Sequence, residues 1–191
     1  YSEGELARLV FHELAHQVLY VAGDTVFNES FATAVEEVGV ERWLAMRADP
    51  AVVRAYREHA ARRTGFVALL TRHKAMLAAI YDGPGSDDDK RRGKRETFDS
   101  LRRGYEALKA SWGGFAGYDR FFAQPLGNAH LAAIGAYNDR VPAFRALLDA
   151  QGGDLPRFYA AARELAALRK AERDARLDAL GGPVPGGRDG G

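Results

Sequence analysis

The chain has 191 residues, enough for one sizeable domain with a hydrophobic core. Its formal net charge is only +1, so no excess of either sign favours nucleic acid or a membrane surface as a partner. There is no cysteine, and any metal ion must therefore be held by histidine and carboxylate side chains. No apolar run approaches the roughly 20 residues that a membrane-spanning helix needs.

The first 50 residues predict two helices. Ser2, with Glu5 three residues later, is a capping-box signature that starts a first helix near residue 3. A Gly-Asp pair at 23–24 breaks the pattern, and Asn28 is a good N-cap residue for a second helix, which ends before Pro50. The apolar residues of the first helix repeat at helical spacing: Leu6, Leu9, Val10, Leu14 and Val18.

The rest of the chain is also predicted to be helical. A long helix covers 52–81, a loop rich in Gly, Pro and Asp follows over 83–89, and glycines at 113–114 close the next helix. The remaining predicted helices cover 128–137, 142–150 and 156–180. We therefore predict a mainly α fold with one helical domain over 1–180 and a disordered Gly- and Pro-rich tail over 181–191. Because the chain starts at Tyr1 and enters a helix at once, we expect it to be the C-terminal part of a longer protein.

His12 and His16 are four residues apart, so on a helix both imidazoles face the same side and can bind one ion. Glu13 stands next to the first of them, where its carboxylate can take a proton from a metal-bound water. Zinc with neutral nitrogen ligands lowers the pKa of that water towards neutrality. The alternative is a pair of histidines on an amphipathic helix with no metal, but burying such groups without a partner is costly.

A catalytic zinc ion needs a third protein ligand and an open fourth position. Glu29 can supply this ligand if the second helix folds back antiparallel to the first; otherwise it is a carboxylate well placed near a helix N-terminus. Glu36 and Glu37 are weaker candidates. Glu36 lies two turns after Glu29 and could orient a ligand imidazole, but an exposed acidic pair is equally consistent. Asp24 could also orient a ligand, although a turn residue is the stronger interpretation.

One later histidine and one tyrosine are further polar candidates. His130 and Tyr137 share one face of the predicted helix over 128–137, and either could donate a hydrogen bond in a site. A core histidine and a half-buried tyrosine are the alternative, with equal weight. His59 and His73 lie among Arg and Lys on the long helix, and both are predicted to be surface residues.

Several segments together carry a resemblance to a known family. They are 11–17 (Phe-His-Glu-Leu-Ala-His-Gln), 27–32 (Phe-Asn-Glu-Ser-Phe-Ala), 128–131 (Asn-Ala-His-Leu), Tyr137, 141–144 (Val-Pro-Ala-Phe) and 152–159 (Gly-Gly-Asp-Leu-Pro-Arg-Phe-Tyr). The first two are similar to the glutamate-zinc, thermolysin-like peptidases. Over almost its whole length the chain resembles a bacterial family called predicted aminopeptidases. One departure is Gly127, where the family tends to have an asparagine before Asn128.

The resemblance implies a zincin-like helical domain in which His12, His16 and Glu29 bind Zn²⁺ and Glu13 is the catalytic base. It also implies that Tyr137 or His130 binds the oxyanion that forms during peptide hydrolysis. It implies a peptide substrate that loses amino-terminal residues, and a location in the bacterial cell envelope as a periplasmic, lipoprotein-anchored protein. It also implies an upstream half, with a strand that lines the substrate cleft. Two alternatives remain: a zinc endopeptidase, and a non-catalytic, zinc-stabilised helical domain that binds a partner protein. The sequence gives no indication of the oligomeric state.

Overall fold

The computed structural model describes residues 2–47 and 49–181, without the side chains of 134–138. These residues form nine helices and no strand, which confirms the prediction of a mainly α fold. The helices are α1 (Glu3–Val18), α2 (Thr25–Ala45), α3 (Pro50–Asp82), α4 (Asp87–Ser111), α5 (Asp119–Phe122), α6 (Asn128–Asn138), α7 (Val141–Ala150), α8 (Leu155–Ala166) and α9 (Lys170–Gly181). No helix within the described ranges has both the length and the apolar character that crossing a membrane requires.

The helices pack into two compact units. The first unit consists of Tyr1–Arg57 and Gly135–Gly191, and the second of Glu58–Ile134. The single helical domain predicted over 1–180 stays a prediction. The predicted disordered tail lies outside the described residues, apart from Gly181 at the end of α9.

Aromatic side chains of three helices form the centre of the first unit. Phe27 and Phe31 of α2 are buried against Phe144 of α7 and Phe158 of α8. The rings of Phe31 and Phe158 stack with centroids 5.7 Å apart, and Phe27 meets Phe144 edge-on at 5.1 Å. Full burial of one such side chain stabilises a fold by about 1.5–3 kcal/mol. This cluster therefore fixes the start of α2, where the candidate ligand Glu29 lies.

The second unit has its own core. Phe66 and Leu70 of α3 pack with Leu101 and Tyr105 of α4 and with Phe122 of α5. The rings of Tyr105 and Phe122 stack with centroids 4.2 Å apart. The short helix α5 was not predicted, because its four residues are too few to show a helical repeat.

The prediction that His73 is a surface residue was wrong. Its relative exposure is 1%, although its sequence neighbours include Arg72 and Lys74. Its Nδ1 lies 2.7 Å from the carbonyl oxygen of Leu69, one turn earlier on α3, and its Nε2 lies 3.3 Å from the hydroxyl of Ser100 on α4. Both ring nitrogens are thus satisfied inside the unit, which permits burial.

The acidic run at 87–89 was predicted to belong to the preceding loop, but it opens α4. Ser86 is the N-cap: its hydroxyl accepts the N–H of Asp89 at 3.2 Å, and the Asp89 carboxylate accepts the N–H of Ser86 at the same distance. Negative charges in a first helical turn interact favourably with the helix dipole. The run that resembled a solvated loop therefore begins a helix.

The helix predicted over 156–180 is interrupted between α8 and α9. The guanidinium of Arg173 donates to the carbonyls of Ala166 and Leu168, at 3.2 and 3.0 Å, and so satisfies acceptors that the break leaves free. The same group pairs with Asp24 at 2.7 Å. The sequence shows no glycine or proline at this break. The contacts of Arg173 with the free carbonyls and with Asp24 stabilise it instead.

Candidate metal centre

The reversal between α1 and α2 is closed by two polar side chains. Asp24 caps α2 by accepting the N–H of Phe27 at 3.1 Å, so the helix begins at Thr25 and not at Asn28 as predicted. Asn28 instead turns back to the loop, where its amide accepts the N–H of Val21 and donates to the carbonyl of the same residue, each at 2.8 Å. This double hydrogen bond fixes the residue just before Glu29.

The two helices of this hairpin approach each other closely. A Cβ atom on Gly39 would lie 2.6 Å from the ring of Phe11, so only glycine fits where the aromatic side chain crosses α2. Ala15 and Ala32 are 1% and 0% exposed. Small residues at a crossing allow helix axes to approach, and the hairpin can therefore bring side chains of α1 and α2 into contact.

His12, His16 and Glu29 converge between these helices. The Nε2 atoms of the two imidazoles are 3.3 Å apart. Glu29 Oε2 lies 3.3 Å from His12 Nε2, and Glu29 Oε1 lies 3.7 Å from His16 Nε2. All three side chains are less than 20% exposed, and their ligand atoms lie within 4.8 Å of one another.

These separations fit a zinc ion. Tetrahedral zinc with ligand distances of about 2.0–2.1 Å holds its ligand atoms about 3.3–3.4 Å apart. Two nitrogens and one carboxylate are also the ligand types that zinc takes in catalytic sites, where a fourth position remains open. The donor set is therefore suited to a catalytic zinc ion.

The hydrogen bond at Nδ1 of His12 also suits a metal ligand. Its Nδ1 lies 2.9 Å from Glu36 Oε2, and a carboxylate can only accept, so Nδ1 carries the hydrogen and Nε2 keeps its lone pair. That lone pair faces the carboxylate of Glu29 and the Nε2 of His16. Electron-rich atoms this close repel one another unless a proton or a metal ion lies between them.

The pKa of His12 is raised above its ordinary value. The largest cause is the hydrogen bond to Glu36; burial acts in the opposite direction, and the charges of Glu36, Glu29 and Glu13 raise it further. The surroundings of this imidazole thus favour a positive charge, whether it comes from a proton or from a metal ion.

Glu13 has a different environment from the other polar residues of α1. Its side chain is exposed, as are the apolar residues around it on the same face: Leu6, Leu9, Val10 and Leu14. The helical spacing of these residues correctly predicted α1, but they form its solvent side. Glu13 is therefore free to meet a substrate, next in sequence to a ligand that faces inwards.

The other three acidic candidates have different surroundings. Glu36 is buried, with 4% exposure, and contacts His12, so it is not part of an exposed acidic pair. Glu37 is partly exposed and lies 3.8 Å from Arg145. Asp24 caps α2 and pairs with Arg173, which agrees with its interpretation as a turn residue.

The two oxyanion candidates lie on α6. His130 belongs to the second unit, where its Nδ1 accepts the N–H of Gly127 at 3.1 Å and its ring meets Phe121 edge-on. The side chain of Tyr137 lies outside the described residues. Both roles stay predictions.

Sequence reasoning missed Arg8. This residue lies one turn before His12 on α1, and its Nη1 is 2.7 Å from Glu36 Oε1. Its position four residues before a candidate ligand was the available signal, because residues four apart share a helix face. Without the position of α2, however, the sequence could not show what Arg8 contacts.

The model of the family described as "Putative aminopeptidase" matches residues 1–177. Neither the curated proteins nor the solved structures compared with the chain give a match.

Proposed function

The chain belongs to this putative aminopeptidase family, and we propose that it is a zinc-dependent peptidase that removes amino-terminal residues from peptides. The observation that carries the proposal is the convergence of His12, His16 and Glu29 at separations that suit tetrahedral zinc. Glu13 follows His12 directly in the sequence. The family supports the peptidase activity, and the donor set supports the metal.

His12 and His16 would hold the ion through their Nε2 atoms, and Glu29 through its carboxylate. Bound zinc would supply a Lewis acid and a water of lowered pKa. These three side chains leave one position open for water or substrate. A purely structural site would be saturated by a fourth protein ligand, and an exposed carboxylate beside the first ligand would have no use there.

Glu13 moves the proton in this mechanism. Its carboxylate accepts a proton from the attacking water as the water oxygen bonds to the peptide carbonyl carbon. The same proton then passes from Glu13 to the departing amine nitrogen as the C–N bond breaks. Glu13 ends the cycle ionised, so one residue acts as general base and then as general acid.

Charge develops on the carbonyl oxygen during the attack. A phenol or an imidazole aimed at that oxygen stabilises the transition state more than the bound substrate. We assign this role to Tyr137. Tyr137→Phe should lower kcat by about ten- to a thousandfold with little change in KM.

Paired peptide substrates test the proposed activity. We expect zinc-loaded protein to cleave short peptides with a free amino terminus and to spare the same peptides after acetylation. Equal cleavage of both forms would identify an endopeptidase instead. The Glu13→Gln variant is the matched control, because it should retain zinc and cleave neither form. On the resemblance alone, we also propose that the protein acts in the bacterial envelope.

A further inference from the structure

Arg8, Glu36 and His12 form a hydrogen-bonded chain next to the candidate ligands. Arg8 Nη1 lies 2.7 Å from Glu36 Oε1, and His12 Nδ1 lies 2.9 Å from Glu36 Oε2. The Glu36 side chain is only 5% exposed. Both partners come from α1, one turn apart, so a single buried carboxylate of α2 bridges two positions of the metal-binding helix.

The two carboxylate oxygens of Glu36 contact different residues, and this decides which nitrogen of His12 carries a hydrogen. Arg8 takes one oxygen of Glu36, and this fixes the other oxygen towards Nδ1 of His12. Because that oxygen can only accept, Nδ1 must donate, and the lone pair stays on Nε2. The Nε2 atom is the one that faces His16 and Glu29.

His16 lacks such support. Its Nδ1 is buried and has no hydrogen-bond partner within the described residues. The two candidate histidine ligands therefore differ, since the orientation of His12 is determined by α2 whereas that of His16 depends on its neighbours on α1 and on Glu29.

We infer that Arg8 and Glu36 are positioning residues that act as one unit, in which Arg8 directs Glu36 and Glu36 holds His12 in the form that binds the metal ion. This inference rests on the proposed zinc site. It adds a role for Arg8, and it makes a prediction about how the two residues depend on each other.

Glu36→Gln should weaken zinc binding, because an amide cannot accept hydrogen bonds from both Arg8 and His12 as the carboxylate does. A glutamine has one acceptor oxygen, and the cation of Arg8 is the stronger competitor for it. The NH₂ group of the glutamine then faces Nδ1 of His12 and favours the form with the hydrogen on Nε2, which cannot bind a metal. Loss of such an outer partner typically costs ten- to a hundredfold in affinity, and we expect the zinc dissociation constant to rise by about that factor.

Removing Arg8 from this variant should reverse part of the loss. In the Arg8→Met, Glu36→Gln double variant nothing competes for the glutamine oxygen, so the amide can turn and accept from Nδ1. We expect the double variant to bind zinc more tightly than Glu36→Gln alone. Arg8→Met by itself should weaken binding less than Glu36→Gln does, because Glu36 keeps its contact with His12.

The measurement is the zinc dissociation constant of the purified chain, by competition with a coloured chelator at one pH. Melting of the metal-free variants shows whether each one folds. Glu37→Gln is the matched control: it changes the next carboxylate on α2, which lies near Arg145, and it should bind zinc as the unmodified chain does.

The outcomes separate the two proposals. If the unmodified chain binds no zinc, the proposed function fails, and this inference fails with it. If the unmodified chain binds zinc but folded Glu36→Gln binds equally well, only the inference is overturned. A double variant that binds as weakly as Glu36→Gln, or more weakly, would also overturn it, because Arg8 and Glu36 would then act independently.

Discussion

Each of the two units holds a histidine turned away from solvent, and the two side chains have very different partners. In the second unit, both nitrogens of His73 are satisfied by neutral groups, a carbonyl of its own helix and a hydroxyl of α4. In the first unit, His12 is fixed at Nδ1 by a carboxylate, and its Nε2 faces another imidazole and Glu29. A histidine with one nitrogen held by a carboxylate and the other facing further ligand atoms is suited to bind a metal ion.

The two units also differ in the charged side chains that they bury. Among the described residues, those that are both buried and ionic lie in the first unit: Asp24, Glu36 and Arg173. The buried polar side chains of the second unit include His73 and Thr97, whose hydroxyl donates to a carbonyl of its own helix at 2.8 Å. Charges cost free energy to bury unless they are paired. In the first unit Glu36 contacts the candidate ligand His12, and Asp24 pairs with Arg173.

The largest expected effect is loss of the metal. His12→Ala with His16→Ala removes two of the three proposed ligands, and a single carboxylate cannot retain zinc. We expect about one zinc ion per unmodified chain and none in the double variant, by elemental analysis after gel filtration.

The control lies in the second unit. His59→Ala changes a partly exposed histidine whose ring packs against Phe115, and zinc content should not change. Zinc retained by the double variant would place the metal elsewhere and would remove the difference between the units.

A large effect on stability is expected at the buried ion pair of the first unit. Asp24→Asn preserves the cap on α2, since asparagine is as good an N-cap residue, but leaves the guanidinium of Arg173 without its counter-charge. Breaking a buried pair in this way costs about 3–5 kcal/mol. Chemical denaturation should show this loss in the free energy of unfolding. Asp174→Asn is the matched control: its partner Lys170 is 63% exposed, and the loss should be at most about 1 kcal/mol.

The same pair predicts an acid dependence. Burial acts to raise the pKa of Asp24, but hydrogen bonds from Arg173 and from the N–H of Phe27 outweigh it and hold the pKa below its ordinary value. A carboxyl group with a lowered pKa in the folded state stabilises the fold above its unfolded pKa of about 3.9. That stabilisation is lost as the pH falls through the folded pKa. The free energy of unfolding should therefore decline less in acid for Asp24→Asn than for the unmodified chain, and parallel curves would contradict the assignment.

Glu13→Gln tests catalysis apart from binding. Glutamine cannot accept a proton from water, so kcat should fall at least about a hundredfold, which corresponds to about 2.7 kcal/mol. The exposed side chain makes no contact that would hold the metal, so zinc content should be unchanged. A variant that binds no zinc would make Glu13 structural and would refute the mechanism.

Local signals in the sequence predicted most of the helices, whereas metal binding by His12, His16 and Glu29 stays a prediction. The His12–His16 spacing predicts a shared face, and Ser2 starts α1 where expected, because both depend only on residues within one or two turns. The apolar repeat of α1 was equally local: it indicated a helix but could not show which side of it meets α2.

Long-range contacts explain what the sequence did not predict. Glu36 could be assigned to His12 only once α2 lay beside α1, and the break after Ala166 depends on Arg173 reaching Asp24, far away in the sequence. His73 resembles a surface residue by its neighbours but is buried by the packing of α4. Such contacts are a property of the folded chain and leave no short pattern.

The smallest expected effect comes from the buried histidine of the second unit. His73→Leu replaces the imidazole by an apolar side chain that can fill much of the same space. Leu69 keeps a helical partner for its carbonyl, and Ser100 is partly exposed, so its hydroxyl can turn to water. Removing a neutral polar group without leaving a buried partner unsatisfied is nearly neutral, and the free energy of unfolding should fall by at most about 1 kcal/mol. Zinc affinity and kcat should stay as they are. A His73→Leu variant that lost zinc would show that this histidine takes part in the site, and the distinction between His12 and His73 would no longer hold.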